Sequence, residues 1–552
     1  MTMLSKIYNR AKFISAFVLA AFVFFSCTDN FEDYNRNPGE PTEGEIAAYL
    51  DVIVFGQMID NVYSSQENSY QMNQNLIGDP YGRHLSITNK GFTTPFSTFN
   101  ANESWLNYPF NDVFSKFYGA WYVLRKNNPE AEKRHLIEWA SILRVAAMHR
   151  LGDMYGPIPY SQVGEGGINT VYDSVEELYH NMIADLDQAI DYLTKYVEEN
   201  PKSRPLVEPD KGDVIYGADL SKWVVFANSL KLRLAMRTVY ADPAFAQKKA
   251  EEAVSHKLGV ITSNDQMPRY VFPAGINPVY KMSTEWGDSK PAADIVTYMV
   301  GYKDPRLMAY FTPSTLEEAA GEYIGIRTGI ALDEKDKMMT YSGVTQKPED
   351  PSIWMTAAEV AFLKAEGALR GWTMGGTAQE LYEEGVRLSF SQWGASGVDA
   401  YLQDDASTQA DYKNPHMTPN PKYDPKEPNK EPKFIDTSIK AVSSITIKWN
   451  PAADFEESLE RIITQKWIAI YPLGTEAWSE QRRTGYPRFF PVMMNASSEP
   501  NLTHQLASRI PFAPSEKLNN TANYNDAVKM LGGPDQYGTR LWWDCKPNKP
   551  NF

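Results

Sequence analysis

Apolar residues recur along this chain at spacings of three and four in long blocks, separated by polar stretches rich in Pro, and that rhythm predicts a mainly α fold. Leu136, Ala140, Leu143, Ala147 and Leu151 share one face of a helix predicted from about Leu136 to Tyr155, which Pro157 and Pro159 stop. Ser174 opens a second helix: its hydroxyl can cap the first turn, and Glu177 three residues later completes a capping box. Leu178, Met182, Leu186, Ala189 and Leu193 supply the buried stripe, so the two helices form a hairpin. The same reading predicts helices over Leu220 to Tyr240, Pro243 to His256, Pro291 to Val300, Ile353 to Trp372, Thr377 to Trp393 and Phe455 to Tyr471. Strand-type alternation is confined to short runs such as Ser443 to Trp449.

Four of these helices carry a Trp on the face expected to be inside: Trp139, Trp223, Trp354 and Trp467. Three are followed by a second amphipathic helix, a pattern of paired helices of the tetratricopeptide kind. The tryptophans are 84, 131 and 113 residues apart, so insertions interrupt any repeat. The longest low-order segment, about 399 to 440, is crowded with Pro, Asn, Asp and Lys. It is expected to be an exposed insertion within one domain running from 43 to 552.

The first residues change the picture. Lys6, Arg10 and Lys12 flank an apolar run from Phe13 to Phe25 that ends at Ser26-Cys27 and turns polar. A basic start, a short greasy segment and a small residue before the cut define a secretory signal, and the run is too short for a spanning helix of about 20 residues. Cys27 sits where a bacterial lipoprotein is acylated, which makes 1–26 a lipoprotein signal peptide, Cys27 the lipidated residue and 27–42 a tether. Losing three positive charges with the signal moves the formal charge from −15 to −18. So acidic a chain, with no basic tract, disfavours nucleic acid as a partner. With Cys27 acylated, Cys545 has no disulfide partner.

Catalytic signatures are missing: there is no GxxxxGK[ST], HExxH or GxSxG, and the seven histidines lack metal-ligand spacing. His149 reads as a core residue, and the acids Asp333, Glu334 and Asp336 read as a solvated charge run. No metal, cofactor or catalytic residue is expected. Two irregular regions do concentrate rings among amides and hydroxyls, Tyr63 to Phe110 and Tyr270 to Trp286. Loops of this kind can stack on a flat ligand and hydrogen-bond its edge. The candidate ligand contacts are Trp286, Tyr280, Trp105, Tyr108, Tyr81 and Tyr70; the alternative for each is a ring that pins its loop to the helical body.

The C-terminal third adds a family resemblance. QKWIAIYPLGTEAWSEQRRTGYP (Gln465 to Pro487), RIPFAPSE (Arg509 to Glu516) and LGGPDQYGTRLWWD (Leu531 to Asp544) resemble the successive signatures of SusD/RagB-type outer-membrane lipoproteins of Bacteroidetes. LRVAAMHRLGDMYGPIPYSQ, WVVFANSLKLRLAMR, DPRL and AEVAFLKAEGALRGW precede them in the expected order, and NRNP after Cys27 resembles the branch with NxNP near its start. The resemblance implies four interrupted tetratricopeptide-like helix pairs (an α-α superhelix) supporting a loop-rich ligand-binding face at the cell surface. It also implies a SusC-like TonB-dependent outer-membrane transporter as partner, oligosaccharide or peptide as ligand, and no chemistry. Arg482, Arg483, Trp542 and Trp543 are then packing and ion-pair elements. A glycoside hydrolase on a helical scaffold and a purely structural subunit of the transporter complex are the competing readings.

Overall fold

Ser174 and Thr377 each start a helix by the same reciprocal device. Ser174 Oγ accepts from the Glu177 amide (3.2 Å) while Glu177 accepts from the Ser174 amide (3.0 Å), and Thr377 and Glu380 repeat the arrangement. The computed structural model describes residues 41–128, 130–164, 169–272, 275–499, 502 and 506–550. The signal segment, Cys27 and most of the tether lie outside them.

The longer helices are α1 (Glu43–Val62), α2 (Ser115–Asn127), α3 (Glu130–Tyr155), α4 (Val175–Glu199), α5 (Leu220–Arg237), α6 (Pro243–Ser255), α7 (Ala293–Gly301), α8 (Ala357–Leu369), α9 (Ala378–Gln392), α10 (Phe455–Ala469), α11 (Gly474–Thr484) and α12 (Thr521–Met530). Among the described residues, eight strands of two or three residues form four separate antiparallel ladders: β1 (Leu85–Ile87) with β3 (Ser289–Pro291), β2 (Arg269–Tyr270) with β6 (Ser352–Ile353), β4 (Phe311–Thr312) with β5 (Gly343–Val344), and β7 (Thr418–Pro419) with β8 (Phe434–Ile435). The fold is mainly α, with helix pairs in series. α3 packs on α4, α4 on α5, α5 on α6 and α8, and α8 on α9 and α10.

Aromatic packing holds the first helices of the pairs together. Trp139 and Trp223 lie 5.8 Å apart, Trp223 and Trp354 6.2 Å, and Phe55 stacks on Trp139 at 4.0 Å. All of these rings are buried. Rings of this size remove large apolar areas from water, and their offset contacts add about 0.5–1.5 kcal/mol per pair. Trp467 is buried elsewhere, against Tyr298 and Phe489, and donates to Gly82 O at 2.7 Å.

Three expectations need correction. The helix predicted over Ile353 to Trp372 starts only at Ala357, because Thr356 Oγ1 takes the Glu359 amide (3.0 Å) as an N-cap; Ser352 and Ile353 are extended in β6, and Trp354 precedes the helix. Ser443 to Trp449 is not a strand. Ser443, Ile445 and Ile447 do alternate inward, but the carbonyls between are claimed by side chains: Tyr302 donates to Ile445 O (2.9 Å), Arg461 to Thr446 O (3.1 Å) and Tyr382 to Ile447 O (2.6 Å). Tyr63 to Phe110 is more ordered than its composition implies, with short helices Glu67–Tyr70, Gly78–Tyr81 and Glu103–Pro109 around β1.

The main compact unit begins at Asp51 and includes the 399–440 segment, whose residues 421–431 are mostly exposed. Inside that unit an ionic network links α3, α5, α8, α10 and α11. Arg233 grips Glu359 (2.7 Å), Arg237 grips Glu476 (2.6 Å) and Glu480 (2.5 Å), and Arg483 grips Glu366 (2.6 Å) and Glu480 (2.7 Å), all buried. Arg482 lies 3.6 Å over the Trp478 ring and donates to Asp153 O (2.7 Å), so both motif arginines act inside the fold. Trp543 is fully buried, while Trp542 is half-buried against His180. No helix among the described residues is long and apolar enough to cross a membrane.

Candidate functional site

The two ring-rich segments, far apart in sequence, meet through the β1–β3 ladder, where Leu85 faces Pro291. Beyond its end the pairing continues through one more backbone bond, from the Thr88 amide to Asp288 O (3.0 Å), and then through side chains, Asn89 Nδ2 to Asp288 Oδ1 (3.1 Å) and Gln71 Nε2 to Asp288 Oδ2 (2.9 Å). Asp288 therefore ties three loops together.

Trp286 reaches this junction from a π-helical turn, Lys281–Glu285, in which the Trp286 amide donates five residues back to Lys281 O at 2.8 Å. Gly287 follows at φ +63°, a left-handed conformation that returns the chain into β3 and that a Cβ would strain. Lys281 Nζ lies 6.0 Å from the Trp286 ring centroid and pairs with Glu285 (2.5 Å). Two further π-helical turns, Gln71–Asn75 and Phe110–Phe114, occur in the other ring-rich segment and just beyond it. Such turns concentrate at functional sites because they re-aim side chains within a helix.

Trp105 and Tyr108 sit on the short helix that Asn102 caps by accepting from the Trp105 amide (3.0 Å). Trp105 meets Phe92 edge-on at 5.4 Å and Phe96 at 5.9 Å; Tyr108 Oη lies 3.5 Å from Ser69 Oγ, two residues from Gln71. Trp105, Tyr108, Tyr280 and Trp286 are all half-buried, each with part of its ring in water. Amides, hydroxyls and half-buried rings thus occur together on two segments that the ladder joins, a combination that can stack on a flat ligand and bond its edge.

The other two candidates do not belong to this surface. Tyr81 is 1% exposed, packed on Phe99 and Trp478, with its hydroxyl donating to Phe96 O at 2.7 Å; it pins its loop and no ligand reaches it. Tyr70 is buried too, and its ring instead lines a cavity of about 380 Å³ together with Tyr63, Trp393 and Tyr471. Sequence reasoning missed the organising residues Asp288, Gln71 and Asn89, and the whole cavity, because its walls come from six distant segments.

Two of the histidines are locked inside the fold. Burial holds both His84 and His149 down at about 3, with His84 Nε2 3.0 Å from Trp467 O and His149 Nδ1 2.9 Å from Val145 O, so both stay neutral. Asp333 and Glu334 are paired with Lys337 and Lys90. Among the described residues no group of three His, Cys, Asp or Glu could hold a metal ion.

The SusD-like family model, described as SusD and RagB outer membrane lipoprotein, matches residues 33–544. A chitin-binding SusD homolog from Flavobacterium johnsoniae is 38% identical, covering 91% of this chain and 100% of its own, with a TM-score of 0.81. A SusD homolog from Bacteroides uniformis is 40% identical (90% and 100% covered, TM-score 0.81), and one from Bacteroides thetaiotaomicron 36% identical (90% and 99%, TM-score 0.80). No curated protein matches.

Proposed function

Because this chain belongs to the SusD-like family of outer membrane lipoproteins, we propose that it captures oligosaccharides at the cell surface and passes them to a SusC-like TonB-dependent transporter. Lipid on Cys27 holds it to the outer membrane, since several buried acyl chains at about 0.8 kcal/mol per CH₂ anchor a protein without a spanning helix. The observation that carries the reading is the β1–β3 ladder joining two segments that bear four half-buried rings, with Asp288 tying Gln71 and Asn89 beside Trp286. Pyranose faces stack on such rings while their hydroxyls bond to the amides and carboxylate between them. The site has no nucleophile–base arrangement, and the protein binds without turnover.

A relative of this chain binds chitin, which makes chito-oligosaccharides the first ligands to test. Trp286→Ala and Trp105→Ala are each expected to weaken oligosaccharide binding about tenfold, the equivalent of about 1.4 kcal/mol, with an unchanged melting curve. Isothermal titration across a glycan panel measures this. A ligand whose affinity survives all four ring substitutions binds somewhere else, and the face is then misassigned.

A further inference from the structure

We propose that the 380 Å³ cavity behind Tyr70 is a second binding site, specific for a ring that carries a carboxylate. The proposal deepens the reading above by naming a chemical group the protein selects. The cavity neighbours the ring-bearing face: Tyr70 lies between Ser69 and Gln71, and the lining residues Asn277 and Val279 immediately precede Tyr280. Its volume falls within the range of small-molecule sites, and its mouth is open to solvent.

The walls are flat and already in place. Tyr471 stacks on Tyr310 (4.9 Å, 19° between planes), Trp393 packs beside it at 6.1 Å, and the Tyr471 hydroxyl is held by Gln346 Oε1 at 3.2 Å. The rim is equally fixed. Asn277 donates from its amide to Pro348 O (2.8 Å) and from Nδ2 to Asp350 O (2.9 Å), the Lys347 amide donates to Asp350 Oδ2 (2.8 Å), and opposite them Arg269 is registered against Ile353 by β2 and β6. A ligand entering here orders little, so its contacts are not offset by loop entropy.

The charge on this rim is unusual for a chain of net −15. Arg269 and Lys347 share the lining with a single carboxylate, Asp350, and neither cation forms an ion pair among the described residues; Arg269 Nη2 makes one hydrogen bond, to Asn264 O at 3.1 Å. Two cations at the edge of an aromatic slot fit an anionic substituent on a ring, bound through charge-assisted hydrogen bonds. Asp350, tied by one oxygen, can accept from a hydroxyl or an amine of the same ligand. Hexuronates from acidic polysaccharides and aromatic amino acids from peptides both present that chemistry.

The test is calorimetric titration of the mature chain with D-galacturonate and N-acetyl-L-phenylalanine, each beside its neutral counterpart, D-galactose and N-acetyl-L-phenylalaninamide. At least one acid is expected to bind saturably and at least tenfold more tightly than its counterpart, and which one identifies the source. Its Kd should rise about tenfold in Arg269→Gln or in Lys347→Gln; Lys347 is exposed, so that variant keeps the fold. Absence of binding by both acids, equal binding of the neutral partners, or a Kd unmoved in both variants overturns the proposal. Chito-oligosaccharide binding by the same wild-type sample reports separately on the ring-bearing face, so failure of one site is not mistaken for failure of the other.

Discussion

Replacing Glu480 by Ala is expected to lower stability by about 3–5 kcal/mol, a large part of the roughly 5–15 kcal/mol that holds a typical domain folded. Glu480 is buried and faces three cations, Arg237 (2.5 Å), Arg483 (2.7 Å) and Lys466 (2.9 Å). Five cations (Arg233, Arg237, Arg370, Lys466, Arg483) and five anions (Asp153, Glu359, Glu366, Glu476, Glu480) share the network, so its charge cancels. Deleting one anion leaves buried cations that water cannot reach, which costs far more than the pair contributed. Burial alone would push the Glu480 carboxyl up, but Arg483, Lys466 and Arg237 outweigh it and hold the group well below its ordinary value. Its stabilisation is therefore present above the unfolded carboxylate pKa and lost as pH falls into the acid range. Urea denaturation of Glu480→Ala beside Lys529→Ala, which breaks an exposed pair with Asp526, gives the comparison. The surface change should cost under about 1 kcal/mol; equal midpoints for the two variants would show that the network carries no stability.

Asp79→Asn should act in the opposite direction. Burial pushes the Asp79 carboxyl from 3.8 up to about 8, against hydrogen bonds from Asn75 and the nearby Arg150 charge. With the folded pKa raised, the group's contribution is complete below pH 3.8 and is lost as pH climbs towards 8, because the unfolded chain releases a proton that the folded chain keeps. The slope is about 1.4 kcal/mol per pH unit, so about 4 kcal/mol has gone by pH 7. Asparagine cannot ionise in either state. The variant should therefore gain on wild type steadily between pH 4 and 8, and the difference isolates Asp79 from His84 and His149, whose depressed values favour folding at higher pH. Parallel stability curves for the two proteins would exclude this account.

Local chemistry was readable from the chain, and long-range partnership was not. Ser174 with Glu177 and Thr377 with Glu380 announce helix starts because both members of each bond lie within one turn. The inward alternation of Ser443, Ile445 and Ile447 was equally visible, but what satisfied the intervening carbonyls was Tyr302, Tyr382 and Arg461, and no local pattern names those donors. The site divides the same way. Composition marked two ring-rich segments, and β1–β3 joins them. Which rings face water depended on contacts such as Tyr81 with Trp478, almost 400 residues apart, so Tyr81 and Tyr70 looked no different from Tyr108. The family motif RRTGYP was legible as a signature, yet its reason, Arg483 bridging Glu366 and Glu480, needs α8 and α11 side by side.

The π-helical turn before Trp286 sets the phase of that ring as well as its position. A turn with five-residue bonding holds one residue more than an α-turn, and each residue advances an α-helix by about 100°. Deleting exposed Thr284 would let the Trp286 amide keep the same Lys281 carbonyl at the ordinary four-residue spacing, so the indole would stay close to its present direction while β3 stayed anchored to β1. The bond from the Trp286 amide to Lys281 O, more than the number of residues it spans, aims the ring.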